Sequence, residues 1–124
     1  MKVSCGVDII EISRIKSSIE NLGEKFINQI YTKQEIEYCE NANLAKYERY
    51  AARFAAKEAV FKAVSIFLKD KYEISWHNAE VVLDDKGNPK VNFIGVNFEK
   101  IQSIDISISH CKEYAVANVV ILYN

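Results

Sequence analysis

RFAAKEAVFKAV, residues Arg53 to Val64, is the clearest helical run in the chain, and its reading places the rest. Alanine, phenylalanine and valine without Gly or Pro favour an α-helix. With successive residues about 100° apart around the axis, Ala52, Ala56, Ala59, Val60 and Ala63 fill one broad arc. Phe54 and Phe61 stand together on another. Glu58 and Lys62, an i,i+4 pair, fall between the two arcs, and Arg53 and Lys57 form a second such pair on the remaining edge. A carboxylate between apolar arcs is in an expensive place unless something compensates it. The plain compensation is an ion pair with Lys62, a contact that contributes about 0.3–0.5 kcal/mol on an ordinary helix. The other is a ligand that needs the charge.

Outward from this helix, expected over about Leu44 to Leu68, the chain divides in two. On the N-terminal side, VSCGVDII is rich in β-branched residues and reads as a strand. Its two-residue period puts Val3, Cys5, Val7 and Ile9 on one face and Ser4, Gly6 and Asp8 on the other. Ile12, Ile15, Ile19 and Leu22 then keep helical spacing until Gly23 stops them. A short amphipathic piece carries Phe26, Ile27 and Ile30. Thr32 and Glu35 form a capping box that opens another short helix, ending near Asn41 to Asn43. On the C-terminal side, Ala79 to Leu83 and Val91 to Ile94 read as strands around the turn DDKGNP. Val96 to Ile101 reads as a short helix. SIDISISH and YAVANVVILY are the strongest strands, and the short connection between them predicts a hairpin. The expected fold is α+β: residues 1–124 as one domain, with an N-terminal strand and helices followed by an antiparallel sheet packed on the long helix.

Composition narrows the function. The chain has 124 residues, 49% hydrophobic and 27% charged, enough for a core and ordinary for a globular protein. A formal charge of −1 gives no general argument for nucleic acid binding. Cys5, Cys39 and Cys111 lack metal-ligand spacing and are odd in number, which fits a reduced compartment. Asp8 and Glu11 interrupt the apolar start, so neither a signal-peptide core nor a membrane span is expected, and the cytoplasm is the expected location.

The residues that can carry chemistry are few. Asp8 on a strand and Glu58 on a largely buried helix are hard oxygen donors of the kind that hold Mg²⁺, with water and phosphate oxygens completing its shell; taken alone, Asp8 reads first as a turn or capping acid. Lys62, one turn beyond Glu58, is placed to neutralise phosphate charge or to assist proton transfer. His110 ends a strand and reads either as a histidine bonded to backbone or as a phosphate contact or base. A triad of Asp105, Ser109 and His110 is disfavoured, because adjacent strand residues point to opposite faces. Gly87 to Pro89 is by itself only a turn, without the spacing of a nucleotide-binding loop.

Taken together, GVDIIEISRI, RFAAKEAVFKA, GNPKV and SISHCKEYAVA resemble the holo-acyl-carrier-protein synthase family, the short bacterial type of 4′-phosphopantetheinyl transferase. The resemblance covers the whole chain. It implies transfer of the phosphopantetheine arm of coenzyme A to a serine of apo-acyl carrier protein, releasing adenosine 3′,5′-bisphosphate, in support of fatty acid biosynthesis. It implies that Asp8 and Glu58 bind Mg²⁺ and that Lys62 sits at the phosphates. The serine proton would go to Glu58 or to a metal-bound water. By the same resemblance, Arg53 and His110, beside Ser109, contact the 3′-phosphate, and Gly87 and Pro89 border the adenine. Homotrimers with sites at subunit interfaces are also implied.

The resemblance also implies an acidic carrier, which needs a local basic surface on an enzyme of net charge −1. Arg14 with Lys16 and Lys25 can supply it, with Phe26, Ile27 and Phe54 as apolar contacts. Phe61, just before Lys62, departs from the smaller or polar residue common in the family and bears on the pocket's shape. A Mg²⁺-dependent pyrophosphate hydrolase and an inactive carrier-binding module are the competing readings. Carrier modification separates the first, and the presence of Asp8, Glu58 and Lys62 together disfavours the second.

Overall fold

The computed structural model describes all residues from 1 to 124. Strand β1 (Lys2–Glu11) leads into helices α1 (Ile12–Leu22), α2 (Glu24–Ile30) and α3 (Lys33–Glu40), then the long α4 (Lys46–Val64). Strands β2 (Ala79–Leu83), β3 (Pro89–Phe93), β4 (Ile101–His110) and β5 (Tyr114–Tyr123) follow. The sheet order is β1-β5-β4, all antiparallel, and β2-β3 forms a separate antiparallel pair. The α+β class is therefore as the sequence indicated, and so is the order of elements apart from the segment Val96 to Ile101.

The long helix is shorter than expected. Short 3₁₀ turns, Asn43–Ala45 and Ser65–Phe67, flank it, so regular α-helix begins at Lys46 and stops at Val64. Val96 to Ile101 is not helical: the chain there is irregular until β4 begins at Ile101. Phe98 instead packs against Phe67 and Phe93, with ring centroids 5.9 and 5.0 Å away. Tertiary contact outweighs a weak local preference in such a short segment.

Two hydrophobic clusters meet along α4. Ala55, Ala56, Ala59, Val60, Ala63 and Val64 join Val119 and Ile121 of β5 and Val81 of β2. Ala51 and Ala52 join Ile12, Ile15 and Ile19 of α1 and Tyr31. Full burial of a valine such as Val60 contributes roughly 1.5–3 kcal/mol. The alanines contribute less individually but allow strands and helices to approach the α4 backbone closely.

The capping box at the start of α3 is present: Thr32 N donates to Glu35 at 2.8 Å, and Glu35 N donates to Thr32 Oγ1 at 3.3 Å. The DDKGNP turn is tied by Asp84, whose carboxylate accepts from Lys86 N and Asn88 N, both at 2.9 Å. Those bonds, Asn88's first, hold the Asp84 carboxyl below its ordinary pKa. Gly87 takes φ +83° there, a conformation that favours glycine.

Candidate active site

The site begins with Gly6. A Cβ at this position would lie 2.1 Å from the Ala59 carbonyl oxygen and 2.8 Å from Ala63 N, both backbone atoms. Only glycine lets β1 lie this close to α4. Ser4, on the same strand face, donates to the Ala63 carbonyl at 2.7 Å. Asp8 follows two residues later on that face and meets Lys62, with Nζ 3.1 Å from Oδ1. Lys62 also donates to the Val7 carbonyl at 2.9 Å.

Lys62 therefore pairs with the strand, while Glu58 makes no ion pair with it, contrary to the plain i,i+4 reading. The carboxyl of Glu58 is half-buried, and its pKa is raised above the ordinary 4.5. Burial is the largest cause and the Asp8 charge the second, with Lys62 opposing both. A half-buried carboxylate beside a second one, with a half-exposed lysine next to them, suits a divalent cation and the phosphates it carries. No group of three or more His, Cys, Asp or Glu residues could enclose a metal, so any ion here would take most of its ligands from water and substrate. Mg²⁺ is commonly held in that way.

On the helical wheel Lys57 shares an edge of α4 with Arg53. Both are buried, and Lys57 is fully so. Lys57 Nζ lies 2.6 Å from Glu35 Oε1, and neither side chain has any exposure. Glu35 Oε2 accepts the Val81 amide at 2.8 Å, so one carboxylate ties α3, α4 and β2 together. Burial lowers the pKa of Lys57, and the Glu35 carboxylate opposes that shift. A signal for this pair was available: Val60 and Val64 lie three and seven residues beyond Lys57, on its own stripe of the helix.

Arg53, Pro89 and His110 line a separate cavity of about 400 Å³, together with Tyr38, Glu48 and Arg49. The Arg53 guanidinium sits 4.2 Å from the Tyr38 ring centroid. Its side chain is only 4% exposed and has no ion pair, and its Nε has no hydrogen-bond partner. His110 Nδ1 is 3.7 Å from Glu48. Gly87 stays in the preceding turn and does not line this cavity. Ser109 is exposed and adjacent to His110 on β4, so the two side chains point to opposite faces.

On a single chain the two groups do not share a cavity. Glu58 instead borders another one, of about 530 Å³, with Phe61, Leu68, Tyr72, Ile74 and Trp76. Phe61 and Phe54 both contact Trp76, at 5.0 and 5.1 Å between centroids. This cavity has no signal in the sequence, because residues 65–76 fold as 3₁₀ turns and loop without periodicity.

The suggested basic surface is partly exposed. Arg14, Lys16 and Lys25 are exposed, whereas Phe26 and Ile27 are half-buried against Tyr31 and the core around it.

Residues 4–119 match the family model of the 4′-phosphopantetheinyl transferase superfamily. The chain is 45% identical to the holo-[acyl-carrier-protein] synthase of Ruminiclostridium cellulolyticum, over 98% of this chain and 92% of that protein. It is 46% identical to the synthase of Thermodesulfovibrio yellowstonii, over 94% and 95%. A crystal structure of the Bacillus anthracis synthase in complex with CoA (3′,5′-ADP) superposes with a TM-score of 0.79 at 35% identity, covering 98% of this chain and 96% of that one. The Chronobacterium ammoniagenes CoA complex, at 23% identity and a TM-score of 0.86, shares the fold over 100% and 99%. The long helix, the strand packed on it through Gly6 and the nearly full-length match agree: this chain belongs to the 4′-phosphopantetheinyl transferase superfamily.

Proposed function

We propose that this protein is a Mg²⁺-dependent holo-acyl-carrier-protein synthase, which moves the phosphopantetheine arm of coenzyme A onto a serine of apo-acyl carrier protein. The observation that carries this reading is the meeting of Asp8, Glu58 and Lys62 where β1 crosses α4. Phosphoryl transfer leaves a protein mainly positioning and charge stabilisation to perform. Asp8 and Glu58 would hold Mg²⁺, which supplies positive charge against the donor pyrophosphate. Lys62, half-exposed at the end of a rigid helix, can turn from Asp8 toward the leaving phosphate. Glu58, with its raised pKa, is suited to accept the serine proton. The largely apolar cavity beside Glu58 offers room for the pantetheine arm.

Arg53 and His110 serve the 3′-phosphate in this reading, with Pro89 against the base; the unpartnered, buried Arg53 supports an anion there. Gly87 acts by shaping the turn, and Ser109 by setting the strand edge next to His110.

A homotrimer follows from the same reading. Val3, Val7 and Ile9 are 64, 56 and 63% exposed on the outer face of β1, an apolar surface suited to further copies. Assembly would bring one chain's carboxylates to another's Arg53 and His110. The protein is expected to sediment as a particle of three 14.2 kDa chains, and an active monomer would contradict this. Three free cysteines suit a cytoplasmic enzyme. No helix is long and apolar enough to cross a membrane.

The acidic carrier would dock at Arg14, with Lys25, Phe26, Ile27 and Phe54 around it. Arg14→Glu is expected to weaken carrier binding by about 1–3 kcal/mol, with the KM for coenzyme A unchanged.

Intact-mass measurement of apo-carrier incubated with enzyme, coenzyme A and Mg²⁺ tests the reaction. One added phosphopantetheine group is expected. Cleavage of coenzyme A without carrier modification would replace the transferase reading with a hydrolase.

A further inference from the structure

Lys62 leaves α4 directly over Gly6. Its Cβ lies 3.0 Å from where a Cβ on Gly6 would sit, so the side chain starts against β1. β1 is the edge strand of its sheet, and the head of Lys62 folds down onto it. Nζ donates to the Val7 carbonyl at 2.9 Å and to Asp8 Oδ1 at 3.1 Å. Asp8 has no other ion pair, and its side chain is only 17% exposed. The lysine thus covers a carboxylate that an arriving cation would need. A divalent ion and a lysine head cannot both hold one carboxylate oxygen without strong repulsion at such short range. Of the two, the lysine is free to move, because its side chain is 52% exposed.

We infer that Lys62 makes the cation site selective: resting on Asp8, it disfavours a free divalent ion and favours one that arrives carrying a donor's pyrophosphate. This rests on the coenzyme A reading above and gives Lys62 a second role besides its contact with the leaving phosphate. In the free protein, a cation that takes Asp8 sends Lys62 into solvent without a partner. With a pyrophosphate present, Lys62 exchanges one oxyanion for another, and Asp8 is released in the same move. Metal and donor are then coupled through a single side chain, each raising the affinity for the other. Glu58, one turn earlier on α4, has no such cover, so the selectivity resides in Asp8.

The test counts bound Mn²⁺, in place of Mg²⁺, by electron paramagnetic resonance on the nucleotide-free protein. Lys62→Met is expected to bind the ion about tenfold more tightly than wild type, because the competing charge is gone while the apolar stem stays. Lys62→Arg keeps the charge and should stay close to wild type. The gain should vanish when Glu58→Gln is combined with Lys62→Met, which places the ion at this site. Equal affinity in wild type and Lys62→Met would overturn the inference, and so would a gain that survives the loss of Glu58. Carrier modification by wild type, read separately by intact mass, keeps the two claims apart. Tighter Mn²⁺ binding by Lys62→Met beside an unmodified carrier leaves the selectivity standing and removes the transferase reading. A modified carrier without the gain in Mn²⁺ affinity leaves that reading standing and removes the selectivity.

Discussion

Lys57 and Glu58 are adjacent in sequence and face opposite fates. Lys57 is sealed against Glu35, whose two oxygens also bind the Thr32 and Val81 amides. Glu58 is half-buried, makes no ion pair, and is pushed toward its neutral form by burial and by Asp8. The first charge is answered within the protein, so it can only hold α3, α4 and β2 in place. The second is left unanswered, so it can act on something that arrives. A rigid helix thus presents an unsatisfied charge on one side because a satisfied one anchors its other side.

The strongest way to break that contrast is to remove the sealed charge. Lys57→Ala leaves the buried Glu35 side chain without its partner, and a loss of about 3–5 kcal/mol in unfolding free energy is expected from denaturant titration. Combining Lys57→Met with Glu35→Gln removes both charges while keeping an acceptor for a backbone amide, and should recover much of that loss. No recovery would mean that the pair contributes more than charge compensation.

On the other side, Asp8→Asn and Glu58→Gln should each lower kcat/KM by at least about a hundredfold, or about 2.7 kcal/mol, without loss of folding. Turnover close to wild type at saturating Mg²⁺ would remove the metal role. Gly6→Ala tests the contact that aligns the two regions. Its methyl group would meet the backbone of α4, so about 1–3 kcal/mol of stability should be lost, with activity falling alongside.

The smallest effect sharpens the comparison through pH. Because the folded-state pKa of Glu58 is raised, folding favours the protonated carboxyl. The resulting destabilisation is fully present above that raised value and disappears as pH falls below the ordinary 4.5. In metal-free buffer, Glu58→Gln should therefore raise Tm at neutral pH and lose that advantage in acid. Added Mg²⁺ should raise the wild-type Tm and leave that of the variant almost unchanged. A neutral-pH Tm no higher than wild type would mean that Glu58 is compensated after all.

Much of the fold was legible because its signals are local. The capping box at Thr32, the alternation in β1 and the strands flanking the DDKGNP turn each depend on residues close in sequence. Val96 to Ile101 was misread because its preference is weak and the packing of Phe98 decides it. The helical wheel gave the angular positions of Lys57 and Glu58 but not which charge would find a partner. Their partners, Glu35 and Asp8, are distant in the chain.

By itself the sequence determined most of the elements and the α+β class, because periodicity is a property of short segments. Only the tertiary structure decided that Lys62 reaches Asp8 rather than Glu58, that Lys57 is sealed on Glu35, and that Arg53 rests on Tyr38. Each of those choices depends on how closely two distant backbones approach. At Gly6 that approach turns on a single missing methyl group, whose steric consequence exists only once β1 lies on α4.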